Sequence, residues 1–298
     1  MVHSNKITVF TPTYNRAYII ENLYRSLQRQ TYTGFEWLVV DDGSVDGTEE
    51  LFAQWTKEDN PFSIHYFKQE NGGKCRAINR GLELAQGELF LTVDSDDYLT
   101  EDALEKIVTW ESELPKDQKF CAVSGNLGTA PDVTPNTLLT EAYLDGDAFS
   151  RYGPIDGERA FAFYTDIHRQ YLYPEYEGEK FMTEAIAWNR MAHDGYKIRY
   201  FNDIIWIYEY KEDGLTKAGE ALFHRNPRGY GLFLREKIQF LDFSIRDQWE
   251  LRISYIINVG DMYPTKLVAE AIGLPYITVA VLKCIRKLKR SLLGKDRG

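Results

Sequence analysis

The chain is poor in cysteine, has no long apolar run and carries no excess of positive charge. Its three cysteines, Cys75, Cys121 and Cys284, stand far apart among 298 residues and form no Cys-x-x-Cys pair. That spacing excludes a disulfide-stapled scaffold or a zinc ribbon, and reads as reduced thiols in a cytosolic protein. No stretch of about 18 apolar residues is present, so no transmembrane helix is expected. Residues 1–6 contain no apolar signal region, and strand-like sequence begins at Ile7. The formal net charge is −10 and the pI is near 5.1, which argues against a nucleic-acid partner, because that would need a broad basic face. Internal repeats and low-complexity segments are absent.

What is present is a full set of core formers. Apolar residues make up 44% of the chain and aromatic residues 14%, enough to bury a large α/β core and to exclude general disorder. Over the first 125 residues strand and helix patterns alternate. Apolar, β-branched runs at 7–10, 35–40, 64–67, 89–93 and 120–124 read as strands. Between them, Ile19, Ile20, Leu23 and Leu27, then Leu51, Phe52 and Trp55, then Ala77, Ile78, Leu82 and Ala85, recur at helical spacing. A helix over 101–110 precedes the fifth strand. This order predicts an α/β fold with a mostly parallel sheet and right-handed crossovers.

Ligands of such sheets bind outside the carboxyl ends of the strands. Four polar clusters fall there: Thr13-Tyr14-Asn15, Asp41-Asp42, Asn71-Gly72-Gly73-Lys74 and Asp94-Ser95-Asp96-Asp97. They are therefore expected to converge on one cleft. From 129 to 159 the pattern weakens into loops and short strands. Residues 180–191 return to helical spacing, 196–210 read as strands, and 222–242 and 249–262 as helices of an appended region.

The run Asp94-Ser95-Asp96-Asp97 is the most informative feature. Three carboxylates in four residues at a strand end repel one another and must be desolvated. They suit a hard divalent cation with oxygen ligands, whose open positions water and phosphate oxygens fill. The plain alternative is a solvated turn that caps the next helix. A calcium loop is excluded because its sixth position would be Leu99 instead of glycine. Asp42 likewise opens no EF-hand loop, since the twelfth position is Ala53. The Gly72-Gly73-Lys74 run lacks Walker spacing, so it is no P-loop.

Four motifs, in order, resemble family 2 glycosyltransferases, which have the GT-A fold. They are Val9-Phe10-Thr11-Pro12-Thr13-Tyr14-Asn15-Arg16, Leu38-Val39-Val40-Asp41-Asp42-Gly43-Ser44-Val45-Asp46-Gly47-Thr48, Asn71-Gly72-Gly73-Lys74 with Ala77, Asn79 and Gly81, and the DxD-like Asp94-Ser95-Asp96-Asp97. The resemblance covers roughly the first 110 residues and thins beyond them. It implies a GT-A domain over 1–215, with a nucleotide-sugar-binding half (1–125) and an acceptor-binding half (126–215), followed by a helical extension over 216–298. It implies a nucleotide-sugar donor, UDP-linked, and Mn²⁺ or Mg²⁺ held by Asp96 and Asp97, directly or through water. Pro12 and Tyr14 would frame the base, Asp42 would accept the uracil imide N–H, and Lys74 would meet base or diphosphate. Asp94, with Ser95 beside it, would contact the ribose or the sugar.

Inverting transfer also needs a carboxylate that takes the acceptor's hydroxyl proton. In the family this base precedes a helix with a Trp-x-Arg pattern. Here that pattern is Trp188-Asn189-Arg190, and Glu184 holds the position usually occupied by Asp; Glu177 and Glu179 are competitors. The implied acceptor is a glycan or lipid-linked glycan of bacterial surface polysaccharide or capsule. Residues 283–298 carry Lys283, Arg286, Lys287, Lys289, Arg290, Lys295 and Arg297 against one Asp. Such a basic end beside an apolar stretch suits peripheral contact with an anionic membrane, on the inner face of the plasma membrane; a solvated terminal helix is the alternative. Two other functional classes remain open: a sugar nucleotidyltransferase, which would need a Gly-rich triphosphate loop that residues 12–16 lack, and a non-catalytic glycan-binding relative.

Overall fold

The computed structural model describes residues 5–209 and 215–295, without the side chains of 215–218 and 289–295. Within the basic tail, Arg297 and the side chains of Lys289, Arg290 and Lys295 thus lie outside the described residues. The chain divides into two compact units. The first comprises Met1–Tyr173 and Ala187–Lys211, the second Pro174–Ile186 and Glu212–Gly298.

The first unit opens with β1 (Asn5–Thr13), α1 (Glu21–Gln28), β2 (Phe35–Asp41), α2 (Thr48–Trp55), β3 (Ser63–Lys68), α3 (Lys74–Leu84) and β4 (Gly87–Thr92). It continues with β5 (Tyr98–Leu99), α4 (Ala103–Ser112), β6 (Phe120–Gly128), β7 (Tyr143–Gly146), β8 (Arg159–Tyr164), the short α5 (Thr165–His168), α6 (Ala185–His193), which enters from the second unit, and β9 (Lys197–Ile207). Among the described residues all nine strands form one sheet, ordered β3-β2-β1-β4-β8-β6-β9-β5, with β7 also on β9.

The parallel order expected from the sequence holds for β3, β2, β1 and β4. Beyond β4 the sheet is mixed, because β8 runs antiparallel to both β4 and β6. β1 and β2 are buried on both faces along most of their length, so their apolar runs are continuous instead of alternating.

The core is dominated by aromatic stacking between the sheet and its first two helices. Tyr24 of α1 stacks on Trp55 of α2 at 4.4 Å between centroids, and Trp37 of β2 lies 5.1 Å from Phe52. All four rings are buried, and such offset pairs add to the area they bury. On the other face, Gly81 lets α3 lie against the sheet: a Cβ there would stand 2.3 Å from the Phe10 ring. That approach fixes where the first residue of α3, Lys74, is presented.

The second unit is helical, with α7 (Leu215–Arg225), α8 (Pro227–Phe240), α9 (Ile245–Val259), α10 (Thr265–Ile272) and α11 (Tyr276–Lys295). The continuous helix expected over 222–242 is broken at Asn226-Pro227, since proline is accepted only in the first turn of a helix. Asn226 also receives the backbone N–H groups of Lys180 and Phe181, at 2.9 and 3.1 Å, which ties the 174–186 segment to these helices. Leu234, Tyr255, Ile256, Val259, Val268 and Ile272 form the core of this unit.

Candidate active site

The site is assembled at the carboxyl ends of β1, β2 and β4 and the start of α3. The loop after β1 is latched to the loop after β2. Asn15 N–H donates to Ser44 Oγ at 2.8 Å, its side-chain oxygen accepts from Val45 N–H at 2.9 Å, and Asp46 accepts from Ala17 N–H at 3.0 Å. Asn15 holds φ +53°, the sole positive φ outside glycine among the described residues. Asparagine tolerates that region better than most residues. Pro12 is buried within β1, while Tyr14 is 48% exposed at the rim, so a flat ring is available to a ligand.

Asp42 is buried and fully engaged by the loop before α3. Its Oδ1 accepts from Gln69 Nε2 and Gly72 N–H, both at 2.8 Å. Its Oδ2 accepts from Gly73 N–H at 2.7 Å and Asn71 Nδ2 at 3.1 Å. Those donors fill the roughly four lone-pair sites of a carboxylate. An imide contact at Asp42 therefore requires one donor to yield, and the Gln69 side chain is the exchangeable one. Gly43, at φ +89°, makes the close approach possible: a Cβ there would lie 3.1 Å from the Asn71 nitrogen. Neighbouring Asp41 turns inward, accepting from Ser44 N–H at 2.7 Å and from the Tyr66 hydroxyl.

The acidic run separates into distinct environments. Lys74 Nζ lies 2.6 Å from Asp94 Oδ1, joining α3 to the end of β4. Arg16 Nη2 lies 3.8 Å from Asp96, and Ser95 is buried. Asp97 is 9% exposed and turned to the sheet, where its Oδ2 accepts from Trp206 Nε1 at 2.8 Å. Burial, and then the charge of Asp94, push the Asp97 carboxyl up to about 8; the same two causes raise Asp96.

A cluster whose ionised state is this disfavoured gains from a divalent cation, and its donors are hard oxygens suited to Mg²⁺ or Mn²⁺. Among the described residues no three Asp, Glu, His or Cys side chains converge as a metal set. An ion here would take most of its ligands from water and a bound anion. Sequence reading had no means of finding Trp206, Gln69 or Arg16 as partners. Trp206 is 109 positions from Asp97, and nothing local marks it.

The three candidate bases belong to the second unit and differ sharply. Glu179 is buried, and its two oxygens accept the N–H groups of Arg228 and Gly229 at 2.8 and 2.9 Å. It caps α8, a helix N-terminus where negative charge is favoured. Glu177 is exposed. Glu184 stands immediately before α6, half-buried, after Thr183, whose Oγ1 accepts from Ala185 N–H at 3.4 Å.

A mixed sheet with helices on both faces, its parallel half ending in carboxylates and a lysine, is the GT-A fold. Two solved structures share it. Staphylococcus aureus TarS residues 1–349, in complex with UDP-GlcNAc, matches with TM-score 0.59 and 19% identity over 88% of this chain and 82% of that one. The Pyrobaculum calidifontis mannosyltransferase PcManGT, in complex with GDP-Man and Mn²⁺, matches with TM-score 0.56 and 19% identity over 95% and 80%.

Residues 8–152, just under half of the chain, match the family model described as glycosyl transferase family 2. The putative teichuronic acid biosynthesis glycosyltransferase TuaG of Bacillus subtilis is 37% identical over 131 residues, 43% of this chain and 50% of that protein. The S. aureus poly(ribitol-phosphate) β-N-acetylglucosaminyltransferase TarS is 33% identical over 141 residues, 43% and 24% respectively. The chain thus spans half or less of the length of these relatives.

Proposed function

We propose that the protein is a metal-dependent, inverting glycosyltransferase that moves a sugar from a nucleotide-sugar donor, UDP-linked, to a glycan or lipid-linked glycan of a surface polysaccharide. The observation that carries this reading is the meeting of Lys74, Asp94, Asp96 and Arg16 at one sheet edge, where phosphate oxygens and a cation can be held together. The relatives support it: one solved neighbour holds UDP-GlcNAc, another GDP-Man with Mn²⁺, and two relatives are named for teichuronic acid and poly(ribitol phosphate).

In this account Tyr14 stacks on the base, Pro12 fixes the loop that presents it, and Asp42 takes the uracil imide N–H in place of Gln69. Lys74 moves from Asp94 toward the diphosphate, which frees Asp94, beside Ser95, to accept from ribose or sugar hydroxyls. Asp96 would hold the cation, directly or through water, with Asp97, fixed by Trp206, beside it. When bound, the divalent ion neutralises charge that builds on the leaving diphosphate. Glu184 accepts the proton of the acceptor hydroxyl while that oxygen bonds to the anomeric carbon and the anomeric carbon–diphosphate bond breaks. Attack opposite the leaving group inverts the centre.

The peripheral placement on the inner membrane face rests on α11. Ile277, Val281, Ile285 and Leu288 are 75, 51, 46 and 59% exposed and follow one another at helical spacing on one stripe. Lys287 is exposed beside them, the pattern of a helix lying on an anionic surface. The donor reading is tested by thermal-shift measurement with UDP-, GDP- and dTDP-sugars, with and without Mn²⁺. A rise in melting temperature confined to one nucleotide, and dependent on the ion, identifies the donor; no rise with any of them refutes the reading.

A further inference from the structure

Unpaired polar atoms in the first unit gather on one face of the sheet. Among the described residues, the buried side-chain atoms without a hydrogen-bond partner include Ser124 Oγ, Arg151 Nε, and both Nε and Nη2 of Arg159. Ser124 of β6 is in register with Phe161 of β8 and with Tyr200 of β9. Arg159 lies two residues along β8 from Phe161, so by strand alternation these side chains share a face. Arg151, from the turn before β8, reaches the same face. Its guanidinium carbon is 4.7 Å from the Trp188 ring centre and 5.7 Å from that of Phe161.

Arg159 is only 6% exposed and sits 5.8 Å over Tyr200. It spends one nitrogen, Nη1, on the Phe201 carbonyl at 3.1 Å. The carboxylate that attracts it from a distance, Asp156, has both oxygens engaged by Thr137. Burial and the like charge of Arg151 act against its ionised form. Buried charges are ordinarily paired, and a guanidinium fork matches phosphate and carboxylate oxygens. The buried Arg159 guanidinium and Ser124 hydroxyl, with the half-buried Arg151 beside them, therefore have donors to spare.

Their position in the fold says which ligand can bring a counter-charge. β8 pairs antiparallel with β4, Leu91 opposite Ala162 and Phe90 opposite Phe163. That antiparallel pairing puts the start of β8, and Arg159 with it, toward the carboxyl end of β4. The face is that of Phe90 and Phe163, which share contact with His168. The group thus stands at the candidate active-site edge, two strands from the β1 loop that bears Tyr14.

We propose that Ser124, Arg151 and Arg159 form an anion subsite that receives a phosphate or carboxylate group of the acceptor glycan. Only the naming of the acceptor as the source rests on the glycosyl-transfer reading; the subsite itself rests on the geometry. Arg151 covers Trp188, so an anion that draws Arg151 away also changes the surroundings of that indole.

The test uses the full chain saturated with UDP and Mn²⁺, which keeps added anions out of the donor site. Methyl phosphate and D-glucuronate are titrated separately, with sodium chloride at equal ionic strength as the reference. Melting temperature and tryptophan emission are recorded. At least one probe is expected to raise the melting temperature above the chloride reference and to shift the emission. R151Q and R159Q are each expected to abolish both effects while keeping the stabilisation by UDP and Mn²⁺. Response to methyl phosphate alone assigns a phosphorylated acceptor, and response to glucuronate alone a uronate. A response no larger than that of chloride, or one that survives both substitutions, overturns the subsite. If R159Q fails to fold, R151Q decides. If wild-type protein shows no response to UDP, the donor reading fails, and the anion titration is read in its absence.

Discussion

Gly73 donates its backbone N–H to Asp42 Oδ2 at 2.7 Å, so the carboxylate that follows β2 also caps the start of α3. A negative group at a helix N-terminus satisfies unpaired N–H donors and faces the positive end of the dipole. Lys74, the next residue, is presented by that cap. The arrangement couples the β2 and β4 strand ends through one helix start.

Asp42→Asn keeps the size of the side chain but turns one acceptor into a donor aimed at N–H groups. Loss of two charge-assisted hydrogen bonds to a buried group is expected to cost about 3 kcal/mol. Urea unfolding measures it. A change below about 0.5 kcal/mol would show that the loop is held by other means.

Glu184 and Glu179 should separate cleanly. Glu184→Gln is expected to leave the affinity for UDP with Mn²⁺ unchanged and to lower turnover about 10²–10⁴-fold. Glu179→Gln removes the charged cap of α8 and is expected to lower stability by about 1–2 kcal/mol while folded protein turns over normally. Steady-state kinetics and thermal melts on both variants decide; the opposite pattern would move the base to Glu179.

His168 is buried between Phe90 and Phe163, and burial depresses its imidazole to about 3. The folded state keeps it neutral, whereas the unfolded chain binds a proton below about pH 6.5. Its contribution is therefore fully present above 6.5 and lost as pH falls toward 3, by about 1.4 kcal/mol per pH unit. His168→Phe should flatten the stability–pH profile by that slope between pH 6 and 4. Parallel profiles for variant and wild type would contradict this.

The outward stripe of α11 predicts binding to vesicles containing phosphatidylglycerol, weakened by salt. The double variant Ile277→Glu, Val281→Glu is expected to abolish co-sedimentation without changing UDP affinity. Equal binding by the variant would remove the stripe from the membrane account.

The parallel half of the fold was legible in the sequence, because strands buried on both faces write continuous apolar runs such as residues 37–40. The strand ends were legible for the same reason, as each run stops at a polar cluster. The other half was not. β8 pairs with β4 across some 70 residues of chain, and its alternation of Phe and Ala is no different from that of many core segments. Long-range partners such as Trp206 for Asp97 leave no local trace. The break at Pro227 was visible as a residue, but the Asn226 and Glu179 contacts that fix it come from a segment 45 to 50 positions away.

The central claim is that Asp96 holds a divalent ion which in turn holds the diphosphate of a nucleotide sugar. Isothermal titration of UDP into the wild-type chain and Asp96→Ala, each with Mn²⁺ and with EDTA, tests it most directly. Wild-type binding should require Mn²⁺, and Asp96→Ala should weaken it at least about tenfold, or 1.4 kcal/mol. Binding of equal strength in EDTA, or an Asp96→Ala protein that binds as wild type does, would contradict the account.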